Sequence, residues 1–113
     1  MFNSVDEGFL RRAISVVEAN MREADFHVEA LAASLNMSRS ALYLKIKALA
    51  DQTPQTFIRR LRLKRSEQLL CDDTASISDI AAAVGFVEPT HFSRDFKQQF
   101  GMSPTKYRDA CGE

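Results

Sequence analysis

The side chains best suited to acid–base, nucleophilic or metal chemistry are few in this sequence and lie far apart. Its 113 residues include two cysteines, Cys71 and Cys111, and two histidines, His27 and His91. Zinc sites and activated thiols both need clustered partners, and neither cysteine has a CxxC spacing or a histidine within helical reach. We therefore expect ordinary thiols, no metal, no cofactor and no catalytic cluster, which argues against an enzyme.

Basic side chains offer a different chemistry, which is binding to a polyanion. The formal net charge is +0, and a neutral total does not favour a nucleic-acid binder. The distribution is uneven, however: residues 38–65 carry eight basic residues against Asp51 alone, whereas residues 1–37 carry six acidic ones. A neutral total can therefore conceal a polarised surface.

Helices are the elements that must position these side chains. Long stretches are rich in Ala, Leu, Arg, Lys, Glu and Gln, and the glycines and prolines lie near candidate turns, so the expected fold class is all-α. One helix is predicted over about residues 6–24 and a long one over residues 53–71. No apolar run approaches the roughly 20 residues that cross a bilayer, and no export signal is visible, so we expect a cytoplasmic protein.

The first of two similar patterns lies before the long central helix. Residues 28–35 predict a short Ala-rich helix, and Ser38 after the turn is a suitable N-cap for a helix over residues 38–50. Two helices joined by such a turn form a helix-turn-helix unit, whose second helix can enter a DNA major groove.

The second pattern follows the central helix. Residues 77–84 predict a short helix capped by Ser76, Gly85 suits a left-handed turn, and a further helix is predicted over residues 88–100. Both patterns end in a hydroxyl residue and a proline, which favours the start of another helix. The chain thus predicts two helix-turn-helix units around one central helix.

The sequence resembles the DNA-binding domain of the AraC family of transcription regulators. The most specific stretch is ISDIAAAVGFVEPTHFSRDFKQQFGMSPTKYR, residues 77–108, and the first pattern, LAASLNMSRSALYLKIKAL, also matches. With Phe9-Leu10 opening a long N-terminal helix, the chain is most similar to the C-terminal domain of hybrid two-component sensor regulators. The resemblance implies a single domain with seven helices. Its expected parts are a first helix-turn-helix unit over residues 6–52, a linker helix over residues 53–71 and a second unit over residues 76–110. The first unit includes an N-terminal helix that braces it.

The resemblance also implies that the helices over residues 38–50 and 88–100 read successive major-groove segments, about 34 Å apart. Carried over by position, the DNA-contacting residues of the first helix are Arg39, Ser40, Tyr43, Leu44 and Lys47. Those of the second helix are Pro89, Thr90, His91, Ser93, Arg94 and Lys97. The helical spacing agrees, because each helix has a separate inward stripe: Leu42, Ile46 and Leu49 in the first, and the aromatic residues Phe92, Phe96 and Phe100 in the second.

Two functions remain open at this point. The first is sequence-specific binding of double-stranded DNA by a transcription regulator, with RNA polymerase and upstream sensor or receiver domains as further partners. The alternative is a helical protein-interaction module with weak or lost DNA readout. Zero net charge favours it, as does Leu44, where related domains more often carry a basic or polar residue. Arg39 and Arg94 would then be ordinary solvated charges.

The central helix itself is predicted to act as a spacer. On a helical wheel its five basic residues are scattered around nearly the whole circumference, whereas a DNA-facing strip would be one-sided. Arg62 lies between two apolar faces, and we expect it to be partly buried and paired with a carboxylate, with Asp79 as a candidate. His27 occupies the cap position that Ser76 fills in the second unit, which predicts a leading helix that is less well capped by about 1 kcal/mol.

Overall fold

The computed structural model describes residues 4–111. Over this range the chain forms seven α-helices and no strand, as predicted. The helices are α1 (Ser4–Ala19), α2 (Val28–Ser34), α3 (Arg39–Ala50), α4 (Pro54–Asp72), α5 (Ile77–Ala83), α6 (Pro89–Phe100) and α7 (Pro104–Cys111).

Helix α1 ends earlier than the predicted helix over residues 6–24. Asn20 closes it, because its main-chain N–H donates to the Val17 carbonyl at 3.1 Å and its side-chain Nδ2 donates to the Val16 carbonyl at 2.8 Å. A side-chain amide that donates to a carbonyl at the helix end replaces the main-chain hydrogen bond that the next turn would have made. The chain is therefore free to change direction before α2.

The caps of the two short helices differ as the sequence predicts. His27 precedes α2 and makes no capping hydrogen bond with its side chain. Ser76 precedes α5, and its Oγ accepts a hydrogen bond from the Asp79 main-chain N–H at 3.0 Å. An uncapped first turn leaves its amides to water, so α2 lacks a stabilising contact that α5 has.

The described residues divide into two compact units, and the division falls inside α4, between Leu61 and Arg62. The first unit contains residues 4–20 and 25–61. Its core is formed by buried apolar side chains of α1, α2 and α3: Phe9, Ala13, Val17, Leu31, Leu42 and Ile46. These side chains fix the orientation of α3 within the first unit.

The second unit contains residues 21–24 and 62–111. Phe92 and Phe96 of α6 are fully buried, with ring centroids 5.8 Å apart. Tyr107 of α7 meets the Phe96 ring edge-on at 5.5 Å. The aromatic stripe of this helix is thus a core contact, as the spacing predicted, and it orients α6 within the second unit.

Arg62 is 7% exposed, which confirms the predicted burial. Its Nη2 donates to the main-chain carbonyl of Glu23 at 2.9 Å, an acceptor that was not predicted. The pairing of Arg62 with a carboxylate, with Asp79 as the candidate, stays a prediction. Burial lowers the pKa of the Arg62 guanidinium. The contact holds residues 21–24 in the second unit, although they directly follow the α1 region in sequence.

The expectation of two ordinary thiols is wrong. Cys71 at the end of α4 and Cys111 at the end of α7 are joined in a disulfide, with Cα atoms 5.5 Å apart. No local pattern predicts this pairing, because 40 residues separate the two cysteines.

Two side chains of α7, Arg108 and Tyr107, hold it beside the end of α4 in the same unit through three hydrogen bonds. Arg108 donates from Nε to the Leu70 carbonyl at 3.1 Å and from Nη2 to the Asp73 carbonyl at 3.0 Å. Tyr107 donates from Oη to Glu67 Oε2 at 2.7 Å, and this hydrogen bond, with burial and the negative charge of Glu67, raises the pKa of Tyr107. The last turn of α4 leaves carbonyls without helical partners. Arg108 donates to one of them, that of Leu70, and to the Asp73 carbonyl directly after the helix.

No described helix combines the length and apolar character that spanning a bilayer requires.

Candidate nucleic-acid interface

Helix α3 presents one fixed outward face because both of its ends and its inner side are anchored. Ser38 Oγ accepts a hydrogen bond from the Ala41 N–H at 3.1 Å, and the helix therefore begins at Arg39, one residue after the predicted start. Asp51 ends it in the left-handed conformation, at φ 53°. Leu42 and Ile46 are both 0% exposed.

The residues predicted to contact DNA lie together on the outward face of α3. They are exposed and follow one another at i, i+1, i+4, i+5 and i+8: Arg39, Ser40, Tyr43, Leu44 and Lys47. Residues at this spacing share one side of a helix. Leu44 is 69% exposed and Tyr43 46% exposed, so the centre of the face is apolar and its two ends are basic.

An open groove runs beside this face within the first unit. Tyr43 and Leu44 line it on α3, Val28 lines it from α2, and Pro54 lines it from the start of α4. The groove is open to solvent and mostly apolar. It leaves Leu44 without a covering side chain, which is consistent with its exposure.

Helix α6 provides the corresponding face in the second unit. Glu88 precedes it as N-cap, Pro89 is its first residue, and Gly101 ends it in the left-handed conformation at φ 81°. Proline suits a first helical position, where its missing N–H would have no helical acceptor. With Phe92 and Phe96 turned inward, five of the six predicted residues are exposed and one, Ser93, is half-buried; the exposed ones are Pro89, Thr90, His91, Arg94 and Lys97.

Carboxylates stand beside three of the predicted cationic contacts, and the sequence reasoning missed them. Glu29 Oε1 lies 3.2 Å from Arg39 Nη1, and Asp51 Oδ1 lies 3.6 Å from Lys47 Nζ. In the second unit, Asp95 Oδ1 lies 3.2 Å from Arg94 Nε.

The sequence separation of each pair decides whether the ion pair can be predicted from the sequence alone. The i,i+4 spacing of Lys47 and Asp51 could have been found by inspection, whereas Glu29 reaches Arg39 only because α2 folds against α3. Exposed ion pairs contribute about 0.2–1 kcal/mol each. They orient the cations while leaving them able to exchange partners.

The structure therefore assembles five predicted residues on α3 and six on α6, each set within its own unit. In the part of the chain that the structure describes, no three His, Cys, Asp or Glu side chains are grouped to hold a metal ion. What both faces can do chemically is donate hydrogen bonds, attract anions and offer apolar surface. Two helix-turn-helix units with such outward second helices define a DNA-binding class of protein.

Comparison with known families gives the same class. Residues 31–110 match the family described as helix-turn-helix domain. The chain belongs to this family as an AraC-type DNA-binding domain, which confirms the resemblance noted in the sequence. The family is one of transcription regulators and not of enzymes.

One relative, Histidine kinase P4 of Formosa agariphila, is 40% identical over 111 residues. The match covers 98% of this chain but 8% of that protein, so the chain corresponds to a small part of it. A histidine kinase belongs to a two-component system, and the match supports the predicted similarity to hybrid sensor regulators.

Two solved structures are similar over most of the chain. An AraC-type regulator from Chromobacterium violaceum has a TM-score of 0.89 and 30% identity, covering 98% of both chains. The DNA-binding domain of AdpA, a global transcriptional factor solved in complex with a target DNA, has a TM-score of 0.81 and 29% identity over 89% of this chain and 90% of that one.

Proposed function

We propose that this chain is the sequence-specific double-stranded DNA-binding module of a transcription regulator, with α3 and α6 each entering a segment of the major groove. The observation that carries the proposal is the pair of outward faces on α3 and α6, each held in place by a buried inner stripe. The DNA complex of the AdpA domain supports it. The same proposal extends to the full-length protein. It acts in the cytoplasm, contacts RNA polymerase, and is controlled by upstream sensor or receiver domains.

Two kinds of basic side chain on the two faces suggest two kinds of DNA contact, one to base edges and one to phosphates. In this proposal Arg39 and Arg94 donate to guanine O6 and N7, the commonest specific contact of arginine in the major groove. Lys47 and Lys97 are exposed in the last turns of α3 and α6, and in this proposal they contact phosphates. Phosphate contacts supply affinity that is blind to sequence and weakened by salt.

A binding-site selection with the 113-residue chain, followed by selections with two variants, tests readout by both units. Arg39→Ala and Arg94→Ala should each relax the preference at separate positions of the site, since each guanine contact contributes about 1–3 kcal/mol of discrimination. Identical losses across the whole site in both variants would argue against two independent readers.

Fluorescence anisotropy at several salt concentrations tests the lysines. Lys47→Ala and Lys97→Ala should each reduce the slope of log K against log salt by about 0.9, the contribution of one phosphate contact. Arg11→Ala on α1 is a matched control, because it removes an exposed positive charge outside both faces. An unchanged slope in both lysine variants would overturn their assignment.

A second function is favoured by one observation, the exposure of Leu44 beside an apolar groove. Under this alternative the chain is a helical protein-interaction module, and the groove binds a partner such as RNA polymerase or a receiver domain. Pull-down of such a partner, combined with no DNA retarded in a gel-shift assay, would favour the alternative. Specific retardation of a selected DNA site would favour DNA binding.

A further inference from the structure

The centre of the α3 face is largely apolar, and the Tyr43 hydroxyl is the one hydrogen-bonding group on its two side chains. Leu44 is 69% exposed, and an exposed leucine side chain contributes little hydrophobic burial energy to the fold. Tyr43 beside it is 46% exposed and adds the carbon surface of its ring. Together these two residues form an apolar strip, which we call the Tyr43–Leu44 strip.

Basic residues flank the strip on the same helix. Arg39 and Lys47 have side chains that are 65% and 51% exposed, one on either side of the strip in sequence. Glu29 Oε1 lies 3.2 Å from Arg39 Nη1. Asp51 Oδ1 lies 3.6 Å from Lys47 Nζ, so each of the two cations has an exposed carboxylate partner. A DNA duplex offers phosphates that can replace these exposed partners on both sides of the strip, whereas a neutral protein surface offers none.

Base edges differ in how well they suit such a strip. Guanine presents two acceptors in the major groove and adenine an acceptor and a donor, whereas thymine presents its C5 methyl group beside a single acceptor. A leucine pressed against a purine edge would desolvate polar atoms without replacing their hydrogen bonds, which is unfavourable. Against a thymine methyl the same leucine removes apolar surface of both partners from water.

We infer that the Tyr43–Leu44 strip makes the first unit a reader of thymine methyl groups, with Leu44 as the main specificity-determining residue. The inference rests on the proposed DNA-binding function and adds the class of base pair that the first unit selects. Thymine on either strand qualifies, since the methyl group of a T·A pair lies in the major groove in both orientations.

The test removes the methyl group and nothing else. Each thymine of a selected site is replaced in turn by deoxyuridine, and binding of the 113-residue chain is measured by anisotropy at one salt concentration. At one or two positions we expect binding to weaken about fourfold, which is the equivalent of about 0.8 kcal/mol for one buried methyl-sized group. Leu44→Ala should bind the thymine and deoxyuridine forms equally at those positions.

A matched variant separates this contact from general effects of truncation. Val5→Ala on α1 also shortens an exposed aliphatic side chain, as Val5 is 71% exposed, and it should keep the full sensitivity to deoxyuridine. Circular dichroism should show Leu44→Ala as helical as the parent chain, because an exposed leucine adds little to the core.

The possible failures are distinguishable. Specific DNA binding with no deoxyuridine effect at any thymine would overturn the inference and leave the proposed function standing. An effect that persists in both Leu44→Ala and Tyr43→Ala would also overturn it, because the methyl group would then act through DNA shape. Failure to bind any selected DNA would overturn the inference and the proposed function together.

Discussion

At the scale of single residues, Gly85 is the position where sequence and structure constrain one another most tightly. The turn between α5 and α6 predicts a left-handed residue, and Gly85 has φ 90°. The structure adds a second requirement. A Cβ at this position would overlap the Met21 carbonyl oxygen and lie 2.9 Å from Arg62 Cζ. Glycine is needed here both for its backbone conformation and for the close approach of Arg62.

Gly85→Ala should therefore destabilise the chain by about 2–4 kcal/mol, from a left-handed alanine and from displacement of packed neighbours. Urea unfolding followed by circular dichroism measures this loss. Gly101→Ala is the matched control, because Gly101 has φ 81° but its Cβ would meet nothing within 4 Å. That variant should lose only about 1 kcal/mol. Equal losses in the two variants would show that crowding at Gly85 has no cost.

Arg62 shows how far residue-level prediction extends. Its place between two apolar stripes of α4 predicted burial, and it is 7% exposed. Its hydrogen bond to the Glu23 carbonyl could not be predicted in the same way, because residues 21–24 join the second unit after α1 has ended. The apolar spacing predicts that α1 continues across these residues. The hydrogen bond from the Asn20 side chain to the Val16 carbonyl explains why the helix ends before them.

At the scale of elements, the two units differ in how their leading helices begin. Ser76 Oγ accepts a hydrogen bond at the start of α5, whereas His27 makes no such bond with its side chain at the start of α2. The backbone of His27 is already extended, with φ −125° and ψ −168°, as an N-cap residue requires. Only the capping oxygen is missing.

We expect His27→Ser to stabilise the chain by about 0.5–1 kcal/mol, because serine at an N-cap accepts a hydrogen bond from an otherwise unpaired amide. Thermal unfolding by calorimetry measures the gain. The reciprocal change, Ser76→Ala, should cost about 1 kcal/mol. If Ser76→Ala lowered the stability but His27→Ser did not raise it, the unpaired amides at the start of α2 would not be what limits the stability of the chain.

Most elements could be predicted because their signals are local. Ser38 and Ser76 mark helix starts, Gly85 marks a left-handed turn, and the apolar stripes mark inner faces. The carboxylate beside Arg39 is a different case. Glu29 lies 10 residues away and on another helix, so its contact depends on the packing of α2 against α3. Local patterns carry no information on such packing.

At the scale of the whole molecule, the same distinction explains the error about the cysteines. Two units were visible as two copies of one pattern, and residues 31–110 match the helix-turn-helix family. The pairing of Cys71 with Cys111 depends instead on where α7 lies beside the end of α4. Arg108 and Tyr107 hold that placement through contacts to Leu70 and Glu67, and none of these pairs is close in sequence.

The position of the disulfide predicts an uneven distribution of stability. It closes a 40-residue separation that lies entirely in the second unit. A crosslink of this span restricts the unfolded chain and stabilises the native state by about 2–4 kcal/mol. The first unit contains neither cysteine, so the constraint acts on the unfolded ensemble of the second unit alone.

Reduction with dithiothreitol should therefore speed hydrogen exchange in the second unit selectively. We expect the amides of Phe92 and Phe96 to exchange at least tenfold faster, because exchange in a core helix follows the free energy of opening. The amides of Leu42 and Ile46 in α3 should change little, and the Cys71→Ser/Cys111→Ser variant should not respond to the reductant. Equal acceleration in both helices would show instead that the two units open together, and that the crosslink stabilises the domain as one cooperative structure.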